Sequence, residues 1–302
     1  MTTRPIARIP SIFGDPESII AGMREAGYVF RRTERACLTA ILHRPWDMGP
    51  RTLLLEGPSG TGKTFFAECL ARALGLAEGE SYHFISLHAG ITDEDILFGV
   101  DIGAVAADMV RQRTDAYRPG VLLRAAQASN RGVALVCLDE TDKAPERVDA
   151  LLLDFLMHGR VVGPHGEVWR ADTRRLLVVL TSNRTRVLSE ALQRRCMRVA
   201  IDFLEEGVEC DLLRKQTGMA ITVVRTAVRM ANAIRASGAT SPSVQEVRNL
   251  LYDLRCATCA EDVDIFIRAS LIKDAEDVAA LQKAYPRPGA ALWREIQRIG
   301  MR

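Results

Sequence analysis

Gly57-Pro58-Ser59-Gly60-Thr61-Gly62-Lys63-Thr64 places three glycines, a lysine and a hydroxyl within eight consecutive residues. In that pattern the glycines let backbone N–H groups turn inward around a phosphate, Lys63 reaches the terminal phosphates, and Thr64 offers its hydroxyl to Mg²⁺. The apolar run before it reads as a strand and residues 63–74 read as a helix, whose N-terminus adds a partial positive charge. Further on, the apolar run Val133–Leu138 ends in adjacent carboxylates, Asp139 and Glu140. Asp139 is suited to hold Mg²⁺ through its water shell, and Glu140 to polarise a water attacking a γ-phosphate. The run Leu176–Ser182 ends in Asn183, whose amide can orient such a water without adding charge. Then come Arg194 and Arg195 at the end of a short helical stretch. A guanidinium there either reaches a neighbouring subunit's nucleotide or simply complements the helix dipole.

Five strand-length apolar runs, at 52–56, 82–87, 133–138, 175–181 and 197–202, alternate with helical patterns. That alternation predicts a doubly wound α/β layer. After about residue 205 only helical periodicity continues, as in Val224, Ala227, Val228, Ala231 and Ile234, and again in Val244, Val247, Leu251 and Leu254. The expected organisation is a helical segment over 1–50, an α/β core over 51–204, a small all-helical domain over 205–285, and a basic tail over 286–302 read as a solvated terminal helix.

The chain has 302 residues, 48% of them hydrophobic, and a formal net charge of +2, which is globular composition and excludes the disordered and collagen-like classes. The near balance of charge gives no support to nucleic acid as a partner. Only five of the 40 basic residues are lysines, leaving 35 arginines. Seven cysteines, mostly in apolar surroundings, read as small hydrophobes of a reducing, cytoplasmic compartment. Cys256 and Cys259 have ligand-like spacing but no second pair or histidine nearby. No long uncharged apolar run predicts a membrane span. Asp93-Glu94-Asp95 is either a metal cluster or, as the better reading, part of a short helix capped by Thr92 with Asp95 three residues on.

The order and spacing of these motifs resemble the AAA+ ATPases over nearly all of residues 15–285. The resemblance implies ATP and Mg²⁺ as ligands, with Gly57 to Thr64 as the nucleotide loop and Asn183 as sensor 1. It implies Arg195, or else Arg194, as an arginine finger. It also implies a five-stranded parallel sheet with the Asn183 strand between those of the nucleotide loop and the acidic pair, followed by a helical lid. A sensor 2 arginine is expected at the start of a lid helix. Gln245 occupies that place and Arg248 lies one turn later. Tyr117-Arg118-Pro119-Gly120, the stretch Asp139-Glu140-Thr141-Asp142-Lys143-Ala144-Pro145, and a hairpin across Gly163-Pro164-His165-Gly166 look like the MoxR-type branch. Gly27-Tyr28 and Thr181-Ser182-Asn183-Arg184-Thr185-Arg186 resemble its CoxD-like subgroup. That branch implies a hexameric ring that remodels a partner with a von Willebrand factor A domain, often during metalloenzyme maturation. The competing reading is an AAA+ motor or loader on nucleic acid, suggested by Arg160, Arg170, Arg174 and Arg175. A third is a nucleotide-dependent binding module without turnover.

Overall fold

Leu53, Leu55, Leu135, Cys137, Leu177 and Val179 are buried on one face of a sheet, and Leu54, Val136, Leu138, Val178 and Leu180 on the other. Strands apolar at every position are those of a parallel sheet covered on both sides, since successive side chains point to opposite faces. The computed structural model describes residues 12–44, 49–101, 116–163, 165–237 and 240–300. Pro45, Pro164 and the ends of the terminal segments lie outside the described residues.

The chain forms two compact units: one is the chain up to Gly57 with Gly62–Ile201, the other Pro58–Thr61 with the chain from Asp202 on. In the first, helices α1 (Pro16–Glu25) and α2 (Arg32–Leu42) precede strand β1 (Arg51–Glu56), helix α3 (Lys63–Ala73) and strand β2 (Tyr82–Ser86). A short helix α4 (Asp93–Ile96) leads to an antiparallel pair, β3 (Phe98–Val100) with β4 (Tyr117–Pro119). Helix α5 (Val121–Ser129), strand β5 (Ala134–Asp139) and helix α6 (Arg147–His158) follow. Then come the hairpin β6 (Arg160–Val162) with β7 (Val168–Arg170), strand β8 (Leu176–Ser182), helix α7 (Glu190–Arg195) and strand β9 (Met197–Ala200).

The main sheet has the order β2-β5-β8-β1-β9, and every pairing in it is parallel. The strand ending at Asn183 therefore lies between the nucleotide-loop strand and the acidic strand, as the resemblance implies. The register sets Leu138 opposite Leu180 and Leu55 opposite Thr181, so the C-terminal ends of β5, β8 and β1 finish side by side. Helices α1 and α2 bury Ile20, Met23, Leu38 and Ile41 in the same cluster as Phe66 and Leu70 of α3. The two small strand pairs are joined by an aromatic cluster: the Tyr117 ring meets those of Phe98 at 5.1 Å and Trp169 at 5.7 Å. Thr92 caps α4 as expected, its hydroxyl accepting from Asp95 N while the Asp95 carboxylate accepts from Thr92 N. Among the described residues no cluster of three or more His, Cys, Asp or Glu is placed to hold a metal ion.

The second unit is helical beyond Asp202: α8 (Glu206–Thr217), α9 (Ile221–Arg235), α10 (Val244–Asp253), α11 (Ala260–Leu271), α12 (Ala275–Ala284) and α13 (Pro288–Arg298). Val224, Ala227, Val228, Ala231 and Ile234 are buried together with Val247, Leu251 and Leu254, while Val244 is only partly covered. Ser243 caps α10 in a reciprocal capping box with Glu246. The basic C-terminal stretch is built into this core through α13, which buries Leu292 and Ile296 and turns Arg298 outward. Its apolar stripe was hidden in the sequence by the arginines between. Inside the unit, Arg235 pairs with Glu209 at 2.7 Å and lies 4.1 Å from the Phe203 ring.

His83 on β2 is 4% exposed and its Nε2 has no hydrogen-bond partner. Burial, aided by Arg124 and Arg131, pushes its pKa from 6.5 down to about 4. The unfolded chain then takes up this proton first, so stability must fall as pH drops from about 6.5 towards 4. Urea unfolding of wild type and His83→Leu across that range should show a steeper loss in wild type; identical pH dependence would contradict this assignment.

Candidate active site

The nucleotide loop leaves β1 under a close constraint. Gly57 N donates to Ser182 O and Ile201 N to Glu56 O, and a Cβ on Gly57 would sit 1.8 Å from Ile201 O. Only glycine fits there. Gly62 at φ +93° opens α3 from the left-handed region that glycine adopts at no steric cost. Between them Thr61 Oγ1 donates to Pro58 O at 2.9 Å, and Gly60 also has positive φ. Ser59 is exposed.

Lys63 is 6% exposed and donates from Nζ to Gly57 O at 2.8 Å. Burial pushes its pKa from 10.5 down to about 8, against the opposing pull of Asp139, Asp142 and Glu140. Arg184 acts on Lys63 in the same direction as burial.

Thr64 and Asp139 meet: Thr64 Oγ1 donates to Asp139 Oδ1 at 2.7 Å. Thr181 Oγ1 donates to the same oxygen at 2.7 Å and accepts from Glu140 N at 2.9 Å. Asn183 Nδ2 donates to Glu140 Oε1 at 3.3 Å. The amide thus reaches Glu140, while Asp139 is reached by Thr181, two residues earlier on the same strand. The donor set of Thr64 and Asp139 is all oxygen, as Mg²⁺ requires, and Asp139 Oδ2 makes no hydrogen bond among the described residues. These residues fit that ion, with the phosphates of a nucleotide supplying further oxygens.

Glu140 and Arg184, each just past or near the end of a central strand, are the only described non-glycine residues with positive φ, at 54° and 62°. Such backbone costs on the order of 1–3 kcal/mol and persists where surrounding bonds over-determine it. Those bonds come from two loops. Asp142 accepts from Asn183 N, Thr185 N and Thr185 Oγ1, at 3.1, 2.7 and 2.6 Å. Arg186 donates to Ala144 O and to both carboxylate oxygens of Asp149, and Asp149 also accepts from Ser189 N, the N-cap of α7.

Helix α7 ends in the two candidate finger residues. Arg194 is exposed and paired with Glu190 one turn earlier, whereas Arg195 is exposed and makes no ion pair among the described residues. Arg248 lies on α10 of the helical unit, its guanidinium donating to Gln245, and nothing here assigns it to a nucleotide. Of the arginines near the hairpin, Arg160 pairs with Asp154, and Arg174 and Arg175 with Asp172. Only Arg170 is exposed without an ion pair among the described residues. Thr181, Asp142, Lys143, Thr185, Arg186 and Asp149 were missed as site residues. All of these but Asp149 stood within stretches that carry the resemblance, and for Thr181 the period of a strand also sets 181 and 183 on one side.

Residues 52–196 match the AAA domain of the dynein-related subfamily. Apart from Arg248, which belongs to the helical unit, the residues just described from Gly57 to Arg195 lie within or beside that matched stretch. No curated protein matches the chain. Among solved structures, that of a candidate ATPase from Cytophaga hutchinsonii aligns with 94% of this chain and 94% of its own, at 14% identity and a TM-score of 0.46. Among the described residues, no helix is long and apolar enough to cross a membrane.

Phosphate binding favours the Lys63 ammonium, so above about pH 8 ATP binding should take up a proton and weaken, by up to about tenfold per pH unit. Calorimetry in buffers of different ionisation enthalpy reads that uptake, and Lys63→Arg should abolish it. A wild-type affinity constant from about pH 7 to 9.5 would contradict the buried-ammonium account.

Proposed function

We propose that this protein is a MoxR-type AAA+ ATPase of the CoxD-like subgroup, which hydrolyses ATP to remodel a partner protein during assembly or metalloenzyme maturation. The observation that carries the ATPase reading is the meeting of Lys63, Thr64, Asp139, Thr181, Glu140 and Asn183 at the ends of three adjacent parallel strands. Lys63 binds the β- and γ-phosphates, the loop amides of Gly57 to Thr64 orient them, and Asn183 holds Glu140. Glu140 takes the proton of the attacking water. Thr64 and Asp139 would hold Mg²⁺, which supplies charge neutralisation on the phosphates when bound.

The site is completed across a homo-oligomeric ring, on the resemblance a hexamer. Arg195 is the finger that reaches a neighbour's nucleotide, because Arg194 is engaged with Glu190 while Arg195 is uncommitted. Arg248 serves as sensor 2 in the lid. The partner carries a von Willebrand factor A domain, and the seven free cysteines suit a reducing cytoplasm. Nucleic acid is disfavoured as partner because three of the four arginines around the hairpin are neutralised by aspartates.

Glu140→Gln should bind ATP without releasing it as ADP, and so hold its partner. Mass spectrometry of what stays bound from native extract in ATP, with and without nuclease, should recover a von Willebrand-type protein or metalloenzyme subunit whatever the nuclease treatment. Recovery that depends on intact nucleic acid would overturn the remodelling reading in favour of a nucleic-acid motor.

A further inference from the structure

Lys143 lies three residues past Glu140, in the single 3-10 turn Thr141–Lys143, and its Nζ donates to Glu140 Oε1 at 2.6 Å. Asn183 donates to the same oxygen. Glu140 Oε2 makes no hydrogen bond among the described residues. One oxygen of the carboxylate is thus gripped from two sides and the other is left available.

The grip is built into the backbone. Lys143 N donates to Glu140 O, and Thr141 Oγ1 to Leu138 O, which ties the turn to the end of β5. Asp142 ties the same turn to residues 183–185 and Arg186 ties it to Ala144 O, so the Lys143 and Asn183 donors are held on one frame. An ordinary exposed pair of this spacing has no such frame.

The residue type also fits. The chain uses 35 arginines and five lysines, yet Lys63 and Lys143 both stand at this site. An ammonium is a point charge that binds one carboxylate oxygen, whereas the planar fork of arginine can also span both. An arginine at 143 is thus able to compete for Oε2.

We propose that Lys143 is a positioning residue for hydrolysis: with Asn183 it anchors Glu140 Oε1 and so presents Oε2 as the atom that takes the proton from the attacking water. As the water oxygen bonds to the γ-phosphorus, the bond from phosphorus to the β–γ bridging oxygen breaks and its electron pair leaves with ADP. The water proton goes to Oε2. The inference rests on the proposed role of Glu140 as the base.

The test measures ATP turnover and ATP affinity for wild type, Lys143→Ala, Lys143→Arg and Glu140→Gln in the full chain. Lys143→Ala should lose about tenfold in kcat, a part of what a general base contributes, with ATP affinity and melting temperature unchanged. Propylammonium should restore part of that rate, which a merely structural loss would not allow. Lys143→Arg should remain slow despite its charge. An unchanged or raised kcat in Lys143→Ala, with Glu140→Gln inactive, would overturn the role of Lys143 alone. Equal turnover in wild type and Glu140→Gln would overturn the assigned base and this inference together, and the two failures are thereby told apart.

Discussion

A lysine ammonium and three carboxylates share the C-terminal edge of one parallel sheet, and the cost of taking them out of water governs the rest of the site. Lys63, Asp139 and Asp142 are all buried. Unpaired, such groups would be strongly destabilising. The neutral donors of β8 resolve this: Thr181 bonds Asp139, Asn183 bonds Glu140, and the backbone beyond bonds Asp142. The central place of β8 between β5 and β1 brings its end to all three carboxylates, while Lys63 is bonded by Gly57 O. A different strand order would leave the acidic strand end beside apolar neighbours, with its carboxylates unsatisfied.

The same bonds extend away from the phosphate site. Residues 141–144 and 183–186 are fastened to each other by Asp142 and Arg186, and Arg186 shares Asp149 with the N-cap residue of α7. The helix that ends in Arg194 and Arg195 is thereby anchored to the loop that follows Asn183. A partly buried pair such as Arg186 with Asp149 contributes little net stability over an apolar substitute, but it fixes one geometry, since losing Arg186 strands the buried Asp149. That suits a site in which one face receives a nucleotide and another offers an arginine outward.

The parts legible in the sequence are those carried by consecutive residues. The loop Gly57–Thr64 states its own conformation through its glycines, and β5 and β8 announce themselves because both faces of each are apolar, whereas β2 and β9 are exposed at some positions. Strand order came from the resemblance, because a strand's own pattern does not name the strand it pairs with. Thr181 was hidden inside an apolar run because its partner, Asp139, lies 42 residues away and only the register brings them together. Asp142, Lys143 and Arg186 stood in the stretches that carry the resemblance, but the groups they meet depend on the fold and were not assigned. The apolar stripe of α13 was obscured by the charged residues around it, and the pairing of Arg194 with Glu190, on which the proposed preference for Arg195 rests, was not read from the sequence.

The central claim is that this site hydrolyses ATP and is completed by an arginine from a second copy of the chain. Phosphate release from separate and mixed Glu140→Gln and Arg195→Ala proteins tests it most directly. Each alone should be inactive, the latter by on the order of 10³-fold or more. Mixed, they should recover turnover, because Glu140→Gln subunits still offer Arg195 to sites that retain Glu140. Full activity of Arg195→Ala alone, or a mixture as inert as its parts, would contradict the account.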